Sequence, residues 1–410
     1  MSNNRKKRKY RLKLFKSKTN RNHKSNNCND EDSSSLKVVN GRKRKNKIIK
    51  IITGALIAVI IILLILINYT LPTGIIESLQ NAYAAMGDGT YPVNVYAANS
   101  SYFSLRNDMV CALNDSFFEL YNKNGKLLHS ISHGMSKPHL EESEARYLLY
   151  DRDRYKLAIY NYSGLLFTTQ FEKSIVSADI SRSGSYAVVT ASDSYQNTVT
   201  VFNKENELLF TWNSANYYIT DVAVNDDGDS IALCLLESRD GSFNSYVYIL
   251  TFDSADPKYK YTFSDIVSSL SSVGENYILA NGFNKAFTIL WNGSAERDLS
   301  VNGIIRNYDY DFSGKSCLSF GREDNEQVNE VTVLDEFGNT TATFKFDNII
   351  NDIAINESRV AVLSNNTVYI FDMNGNSISS YTTESKGLFV GVFNDGKTIV
   401  LDRTKLSLAE

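Results

Sequence analysis

The chain has 410 residues, of which 43% are hydrophobic and 22% charged, and a formal net charge of only −3. That small total conceals two regions. Residues 1–50 contain 18 Lys or Arg and three acidic residues, whereas residues 51–410 contain 25 Lys or Arg and 43 acidic residues. The basic region has only Tyr10 and Phe15 as aromatic residues for stacking on bases, so its composition argues against a nucleic-acid partner.

The first 47 residues are polar, rich in Asn and Ser, and too poor in apolar side chains to bury a core. Segments of this composition stay disordered. Their Lys and Arg residues suit anionic lipid head groups, where each basic residue near the surface contributes about 1 kcal/mol to binding. We therefore predict a disordered basic cytoplasmic tail over residues 1–47 that sets the membrane topology and lies on anionic lipid.

An uninterrupted apolar run extends from Ile51 to Ile67. As a helix, residues 48–67 would span about 30 Å, the thickness of the bilayer core. Because basic residues stay on the cytoplasmic side, we predict a single-pass protein of the cell membrane with a cytoplasmic N-terminus and an extracytoplasmic C-terminal domain. A cleaved signal is the alternative, but its small-residue stretch, 82–84, ends 17 residues past Ile67. The lengths of the run and of the preceding tail favour an anchor.

Residues 68–90 form a connector between the predicted transmembrane helix and the outer domain. Apolar residues recur there at helical spacing, and Gly87 and Gly89 end the run. This pattern predicts a short amphipathic helix that lies on the membrane or docks against the domain. The apolar positions are Ile75, Ile76, Leu79, Ala82, Tyr83 and Met86.

From Tyr91 onward the pattern changes to the strict alternation of β-strands. One recurring segment is a strand that ends in an Asn or Asp turn and is followed by a second strand, as in TVYIFDMNG, KLAIYNYSG and SFFELYNKNG. Another recurring segment lies upstream of it, as in SADISRSGSYAVVT, DVAVNDDGDSIALC and DIAINESRVAVLS. Together they make four antiparallel strands in about 35–48 residues, which is typical of a β-propeller blade.

Counting these units predicts an all-β, eight-bladed β-propeller over residues 91–410. The C-terminal unit, 387–410, has three strands, and we expect Tyr91–Ala98 to supply its fourth and close the ring without a free sheet edge. Seven blades are the alternative, because the unit at 266–301 is weakly patterned and the first unit could be irregular. The other units lie near 100–133, 139–171, 174–213, 217–265, 304–346 and 349–384.

These units resemble the WD-repeat-like and quinoprotein-like β-propeller superfamily over about residues 90–410. The Trp-Asp dipeptide of true WD repeats is absent, since Trp212 is followed by Asn213 and Trp291 by Asn292. The layout of basic tail, one span and outer propeller is similar to a bacterial membrane-anchored family of unknown function. The resemblance implies the fold rather than an activity.

Few residues point to chemistry. Cys111, Cys234 and Cys317 fall in the second strands of three different blades, too far apart to pair, and are interpreted as small buried hydrophobic residues. The stretch 309–314 matches the first half of a calcium loop, D-x-D-x-S-G, but its closing position is Phe320 instead of Glu. We therefore predict no metal, no cofactor and no enzymatic activity.

The candidate binding site is built from loops. Connections between the second and third strands are long at 191–198, 237–246 and 321–330, and in a propeller they open on one face together with the connections between blades. Function on rigid scaffolds tends to reside on such loops. Their acidic and aromatic residues suit contact with a protein or a glycan. The candidates are Asp193, Tyr195, Tyr217, Tyr218, Arg239, Asp240, Phe243, Glu323 and Asp324.

The function that the sequence favours is a protein-binding or scaffolding module at the cell envelope, with Tyr195, Tyr217 and Phe243 as aromatic anchors for an envelope or secreted partner. The alternative is an envelope glycan-acting enzyme, or a glycan-binding sensor, that uses the propeller channel. Carboxylates that converge at one mouth of the channel would favour the enzyme, and scattered carboxylates would favour the binding module.

Overall fold

The chain divides into two compact units, residues 1–73 and residues 74–410. In the first, residues 49–59 are helical. The predicted tail, residue 48 and residues 60–67 of the predicted span lie outside the described residues. Within the described ranges, no helix has both the length and the hydropathy that a membrane crossing requires. The structure is a computed structural model that describes residues 49–59, 73–95, 102–239, 241–263, 265–294, 296–299, 304–321, 329–383 and 386–409.

The second unit contains eight antiparallel sheets of four strands each, so the prediction of an eight-bladed propeller is confirmed and the seven-bladed alternative is wrong. Each sheet is one blade, numbered in chain order. Blades 1 to 4 comprise β2 (Tyr102–Arg106), β3 (Met109–Leu113), β4 (Phe117–Asn122), β5 (Leu127–Ser132); β6 (Pro138–Glu142), β7 (Arg146–Asp151), β8 (Lys156–Asn161), β9 (Gly164–Gln170); β10 (Ile175–Ile180), β11 (Tyr186–Ala191), β12 (Asn197–Phe202), β13 (Leu208–Ser214); and β14 (Tyr218–Val224), β15 (Ser230–Arg239), β16 (Ser242–Thr251), β17 (Tyr259–Phe263).

The weakly patterned unit at 266–301 also forms a complete blade, the fifth. Its fourth strand has only three residues, which is why its alternation is hard to recognise in the sequence. Blades 5 to 8 comprise β18 (Val267–Val273), β19 (Tyr277–Gly282), β20 (Ala286–Leu290), β21 (Glu296–Asp298); β22 (Ile304–Tyr310), β23 (Ser316–Gly321), β24 (Asn329–Leu334), β25 (Thr340–Phe346); β26 (Ile350–Ile355), β27 (Arg359–Ser364), β28 (Thr367–Asp372), β29 (Ser377–Thr382); and β30 (Phe389–Val392), β31 (Thr398–Leu401), β32 (Lys405–Ala409), β1 (Val93–Asn94).

The ring closes as the sequence predicts, because β1 is the outer strand of blade 8. Val93 pairs with Leu406, and Asn94 pairs with Lys405. The ladder continues for one bond beyond β1, since the Val95 amide donates to the Thr404 carbonyl at 3.0 Å. Residues 96–98 of the predicted closing strand lie outside the described residues.

The core lies between blades. Among the described residues there are eight clusters of buried apolar side chains, and each joins the facing sides of two neighbouring blades. Each strand contributes apolar side chains to the clusters on both sides of its blade, because successive side chains point to opposite sides of a sheet. Cys111, Cys234 and Cys317 are buried and free in β3, β15 and β23, as predicted.

Antiparallel pairing gives the propeller two different faces. The connections between second and third strands, together with those between blades, lie on one face, which we call the long-loop face. Turns between first and second strands and between third and fourth strands lie on the other, which we call the tight-turn face. Helix α1, Thr73–Ala85, precedes β1 and contacts blades 1 and 2 on the tight-turn face.

Candidate functional site

The described candidate residues all lie on the long-loop face of two adjacent blades, 3 and 4. Asp193 and Tyr195 are in the β11–β12 loop, and Tyr217 and Tyr218 are where blade 3 leads into blade 4. Arg239 and Phe243 are in the β15–β16 hairpin, while Asp240, Glu323 and Asp324 lie outside the described residues.

The predicted long loop at 237–246 is a β-hairpin, which corrects the sequence interpretation. Strands β15 and β16 have ten residues each and pair as far as Arg239 with Ser242. The hairpin closes through Gly241, which has a φ of +78°, a conformation that favours glycine. The strands of this hairpin are not recognisable in the sequence, because its polar and aromatic residues do not alternate between buried apolar and exposed polar positions.

This hairpin extends beyond the strands on either side of it. Strand β14 pairs with β15 only as far as Leu236, and β17 pairs with β16 only as far as Ser245. Residues 237–239 and 241–244, which we call the projecting hairpin, therefore form a two-stranded ribbon. Within the described part of the chain, neither outer edge of this ribbon is paired with another strand.

Aromatic side chains lie on the projecting hairpin and on the long-loop face of blades 3 and 4. Phe243, Tyr218 and Tyr195 are exposed. The strand register places Phe243 and Tyr218 on the same side of blade 4. Tyr217 differs, because its ring packs edge-on against Tyr246 and Tyr248, with centroid distances of 5.2 and 5.8 Å. It supports the hairpin from the side of blade 3, whereas the other three aromatic rings are available for contact.

The charged candidates have weaker roles. The carboxylate of Asp193 forms an ion pair with Lys173, with 2.5 Å between Oδ2 and Nζ, and both side chains are exposed. Exposed ion pairs of this kind contribute about 0–1 kcal/mol. Tyr246 Oη donates to Glu237 Oε2 at 2.8 Å, which ties the base of the hairpin to its neighbouring strand.

The central channel is a second candidate, which the sequence interpretation named only as an alternative. The first strands of all eight blades line a cavity of about 610 Å³. Arg152 and Arg306 are exposed residues of its lining, and Glu141 and Tyr308 also line it. These groups could hydrogen-bond a polar ligand.

A cross-channel ion pair separates this cavity from a smaller one beyond it. Arg106 Nη2 lies 2.9 Å from Asp309 Oδ1, and Arg106 Nε lies 3.1 Å from Glu142 Oε2. The guanidinium stands 4.0 Å from the centroid of the Tyr310 ring. Both cavities are lined by Arg106 and Tyr310, so these side chains form the partition between them.

Four aspartates of the first strands act as latches between neighbouring blades. Each carboxylate accepts a hydrogen bond from a backbone amide in the first strand of the next blade. The pairs are Asp179 with Val224 at 2.7 Å, Asp221 with Leu270 at 2.8 Å, Asp309 with Ile355 at 2.9 Å and Asp352 with Val390 at 2.9 Å.

These latches were missed at the sequence level, although a signal was present. Asp recurs in the first strands, two residues before the turn in SADIS and YDYDF and four residues before it in TDVAV and NDIAI. The calcium-loop interpretation also has another explanation. Asp309 is engaged with Arg106 and Ile355, and Asp311 Oδ1 accepts the amides of Ser313 and Lys315 in an ordinary turn.

Burial raises the pKa of these carboxyl groups. It raises the pKa of Asp179 to about 7 and that of Asp352 to about 8, even though each accepts backbone hydrogen bonds. Burial, with the nearby charges of Asp179 and Asp221, raises the pKa of Glu141 well above its usual range. Burial thus favours the neutral, protonated form of these three carboxyl groups, which is the form that can donate a hydrogen bond.

Residues 90–407 match a family described as "Family of unknown function (DUF5711)". No curated protein matches the sequence. Among solved structures, Sqt1 of Saccharomyces cerevisiae is 11% identical with a TM-score of 0.54, and the match covers 79% of this chain and 100% of that one. The C-terminal WD40 domain of Sif2 is 13% identical with a TM-score of 0.51, over 78% of this chain and 99% of that one.

BamB from Moraxella catarrhalis is 10% identical with a TM-score of 0.48, over 78% of this chain and 98% of that one. At such low identities these likenesses concern the fold alone. The likenesses to Sqt1 and to the WD40 domain of Sif2 confirm the predicted resemblance to WD-repeat-like propellers at the level of the fold.

Proposed function

The chain belongs to this family of unknown function, and we propose that it is a membrane-anchored, extracytoplasmic module that binds or scaffolds proteins at the cell envelope. The observation that carries the proposal is the projecting hairpin, which carries the exposed ring of Phe243 on the same side of blade 4 as the exposed ring of Tyr218. Its partner is an envelope or secreted protein.

The projecting hairpin offers two means of binding. Its outer edges present backbone N–H and C=O groups that an extended segment of a partner can pair with, as in β-strand addition. Phe243, Tyr218 and Tyr195 supply aromatic anchors, the residue type that dominates many interfaces. Rigid blades hold both elements in place, so little ordering is needed on binding.

The membrane anchoring is supported by the sequence. The basic N-terminal region and the acidic remainder of the chain fit a cytoplasmic tail and an outer domain on either side of one span over residues 48–67. Protease added to intact, wall-stripped cells should then digest the propeller and leave an N-terminal tag intact. A protected C-terminus would refute the topology.

We propose no catalytic role. Carboxylates do converge in the channel, but Asp179, Asp221 and Asp352 are held by backbone amides of the next blade, which accounts for their position without catalysis. A glycosidase needs two carboxyl groups that face a substrate.

A glycan-binding sensor is the second candidate function, and the channel cavity favours it. A cavity of about 610 Å³ can hold a small saccharide. The hydroxyls of a sugar could bond to Glu141, Arg152 and Arg306, and Tyr308 could stack on its apolar side. Saturable binding of envelope oligosaccharides that is lost in Glu141→Ala and retained in Phe243→Ala would favour this candidate.

Site-specific photocrosslinking tests the main proposal. A photoreactive residue at position 243 of the full chain, expressed in its native membrane, should give a discrete crosslinked protein. The matched control places the same residue at Ile378, an exposed position on the outer strand of blade 7. The same crosslinked product at both positions, or none at position 243, would refute the proposed site.

A further inference from the structure

Helix α1 is attached to the propeller through its polar side. Arg146 donates two hydrogen bonds to the Glu77 carboxylate, from Nε to Oε1 at 2.8 Å and from Nη2 to Oε2 at 2.5 Å. Burial alone would raise the pKa of Glu77, but the hydrogen bond and charge of Arg146 outweigh it, so the pKa is lowered. Asn81, one turn further along, is buried as well.

The C-terminal end of α1 is fixed by separate contacts. Asn122 Nδ2 donates to the carbonyls of Ala85 at 2.9 Å and Gly87 at 3.0 Å. Lys126 Nζ donates to the Met86 carbonyl at 2.7 Å. Ala84 and Ala85 pack against the buried cluster between blades 1 and 2. These contacts set the rotation of the helix about its axis, and with it the side that faces away from the propeller.

The side that faces away is apolar. Ile75 is 42% exposed, Leu79 65%, Tyr83 81% and Met86 65%. Spacings of four residues place Ile75, Leu79 and Tyr83 in one row along the helix, and Met86 directly follows the last helical residue. We call these four side chains the apolar stripe. A helix on a globular domain normally buries such a row and exposes its polar side. Helix α1 does the reverse, so the stripe requires a covering surface from outside the propeller.

We propose that this surface is the membrane, and that α1 lies in the interfacial layer of the bilayer with its apolar stripe inserted among the lipids. The inference rests on the proposed anchoring. Only five residues, 68–72, separate the predicted span from α1, and five residues reach at most about 18 Å. The start of α1 is thereby held close to the bilayer surface. Large apolar side chains with a tyrosine are the residue types that interfacial helices insert.

A second copy of the chain fits the stripe less well. Stable protein interfaces bury about 800 Å² on each partner, which is more than one side of a 13-residue helix offers. Lipid contact needs no such minimum area, because the span already supplies the attachment. In this arrangement the tight-turn face of blades 1 and 2 faces the lipid, and the long-loop face remains open to a partner.

The test uses the full chain in phosphatidylcholine and phosphatidylglycerol vesicles. An environment-sensitive fluorophore is attached at Leu79→Cys in a Cys28→Ser background, in which Cys111, Cys234 and Cys317 are buried. Vesicle lipids that carry a doxyl quencher near the head group should reduce its emission about twofold or more. The control fluorophore is at Ser194→Cys, an exposed position on the long-loop face, and should not be quenched.

The outcomes separate the two proposals. A chain that carbonate extracts from the vesicles refutes the anchoring itself. A chain that stays inserted, with position 79 unquenched, refutes the interfacial helix and leaves the anchor standing. If position 79 is unquenched, a disulfide that unlabelled Leu79→Cys chains form with one another on addition of a mild oxidant would assign the stripe to a second copy. A Leu79→Ser, Tyr83→Ser variant with a fluorophore at Met86→Cys should lose the quenching that the same fluorophore shows without these changes.

Discussion

Arg106 and Asp309 form an ion pair across the central channel, with 2.9 Å between Nη2 and Oδ1, although they belong to blades 1 and 6. Neighbouring blades are already joined by their shared cores, whereas this pair, together with the contact of Arg106 with the Tyr310 ring, connects two blades that are not neighbours in the ring. The same guanidinium also holds Glu142 of blade 2. Three blades therefore meet at one side chain.

Replacing Arg106 by Met should destabilise the propeller, because Glu142 and Asp309 would be left as buried charges without a cation. Removing one partner of a buried ion pair typically lowers the free energy of unfolding by about 3–5 kcal/mol. The control is Arg182→Met, which removes an exposed pair with Glu144 and should have an effect of about 0–1 kcal/mol. Equal thermal midpoints for the two variants would show that the cross-channel pair does not support the ring.

Stability should fall as the pH rises from about 4 to about 8. Burial raises the pKa of Asp352 to about 8, so in this window the folded chain binds a proton that the unfolded chain has lost. Asp352→Asn should therefore melt about 2–4 °C above the parent at pH 8.5 and near it at pH 5. The side-chain carbonyl oxygen of Asn can still accept a hydrogen bond from the Val390 amide.

The comparison variant for this pH dependence is Asp372→Asn. Asp372 lies in an exposed turn, where hydrogen bonds from Asn376 lower its pKa. Its replacement should not raise the midpoint at pH 8.5. If Asp352→Asn shifts the midpoint equally at both pH values, protonation of Asp352 is not the cause.

Ring closure through β1 predicts a large effect of a short deletion. Removing residues 91–98 should leave β32 as an unpaired edge in blade 8 and lower the thermal midpoint far more than removing residues 1–46. Circular dichroism melts of the two truncated chains provide the measurement. Equal midpoints would mean that the strand contributes nothing to the ring.

Partner capture should depend on the long-loop face. Changing Tyr195, Tyr218 and Phe243 together to Ala should abolish capture and leave the melting temperature nearly unchanged, because all three are exposed. Tyr217 is excluded from this set since it packs against Tyr246 and Tyr248. Capture that survives the triple change but is lost on altering the tight turns at Asn374-Gly375 and Asp227-Gly228 would place the site on the other face.

The fold was largely predictable because strand alternation and turn residues repeat in every blade. The closing strand was predictable too, since the C-terminal unit lacked one strand. The projecting hairpin was not, because its residues follow no alternation of buried and exposed positions. In the sequence the Asp latches appear only as recurring Asp residues. Their partners could not be predicted, because they are backbone amides, which nearly every residue has. Whether the aromatic residues bind a partner stays a prediction.

The pairing of Val93 with Leu406 also imposes an order on biosynthesis. The two residues are about 310 positions apart, which corresponds to tens of seconds of translation at roughly 5–20 residues per second. During that time β1 has left the ribosome without its partner strand, and blade 8 cannot form. A chain that terminates even a few residues early would release a ring with both of its ends unpaired, a state that quality-control proteases can recognise.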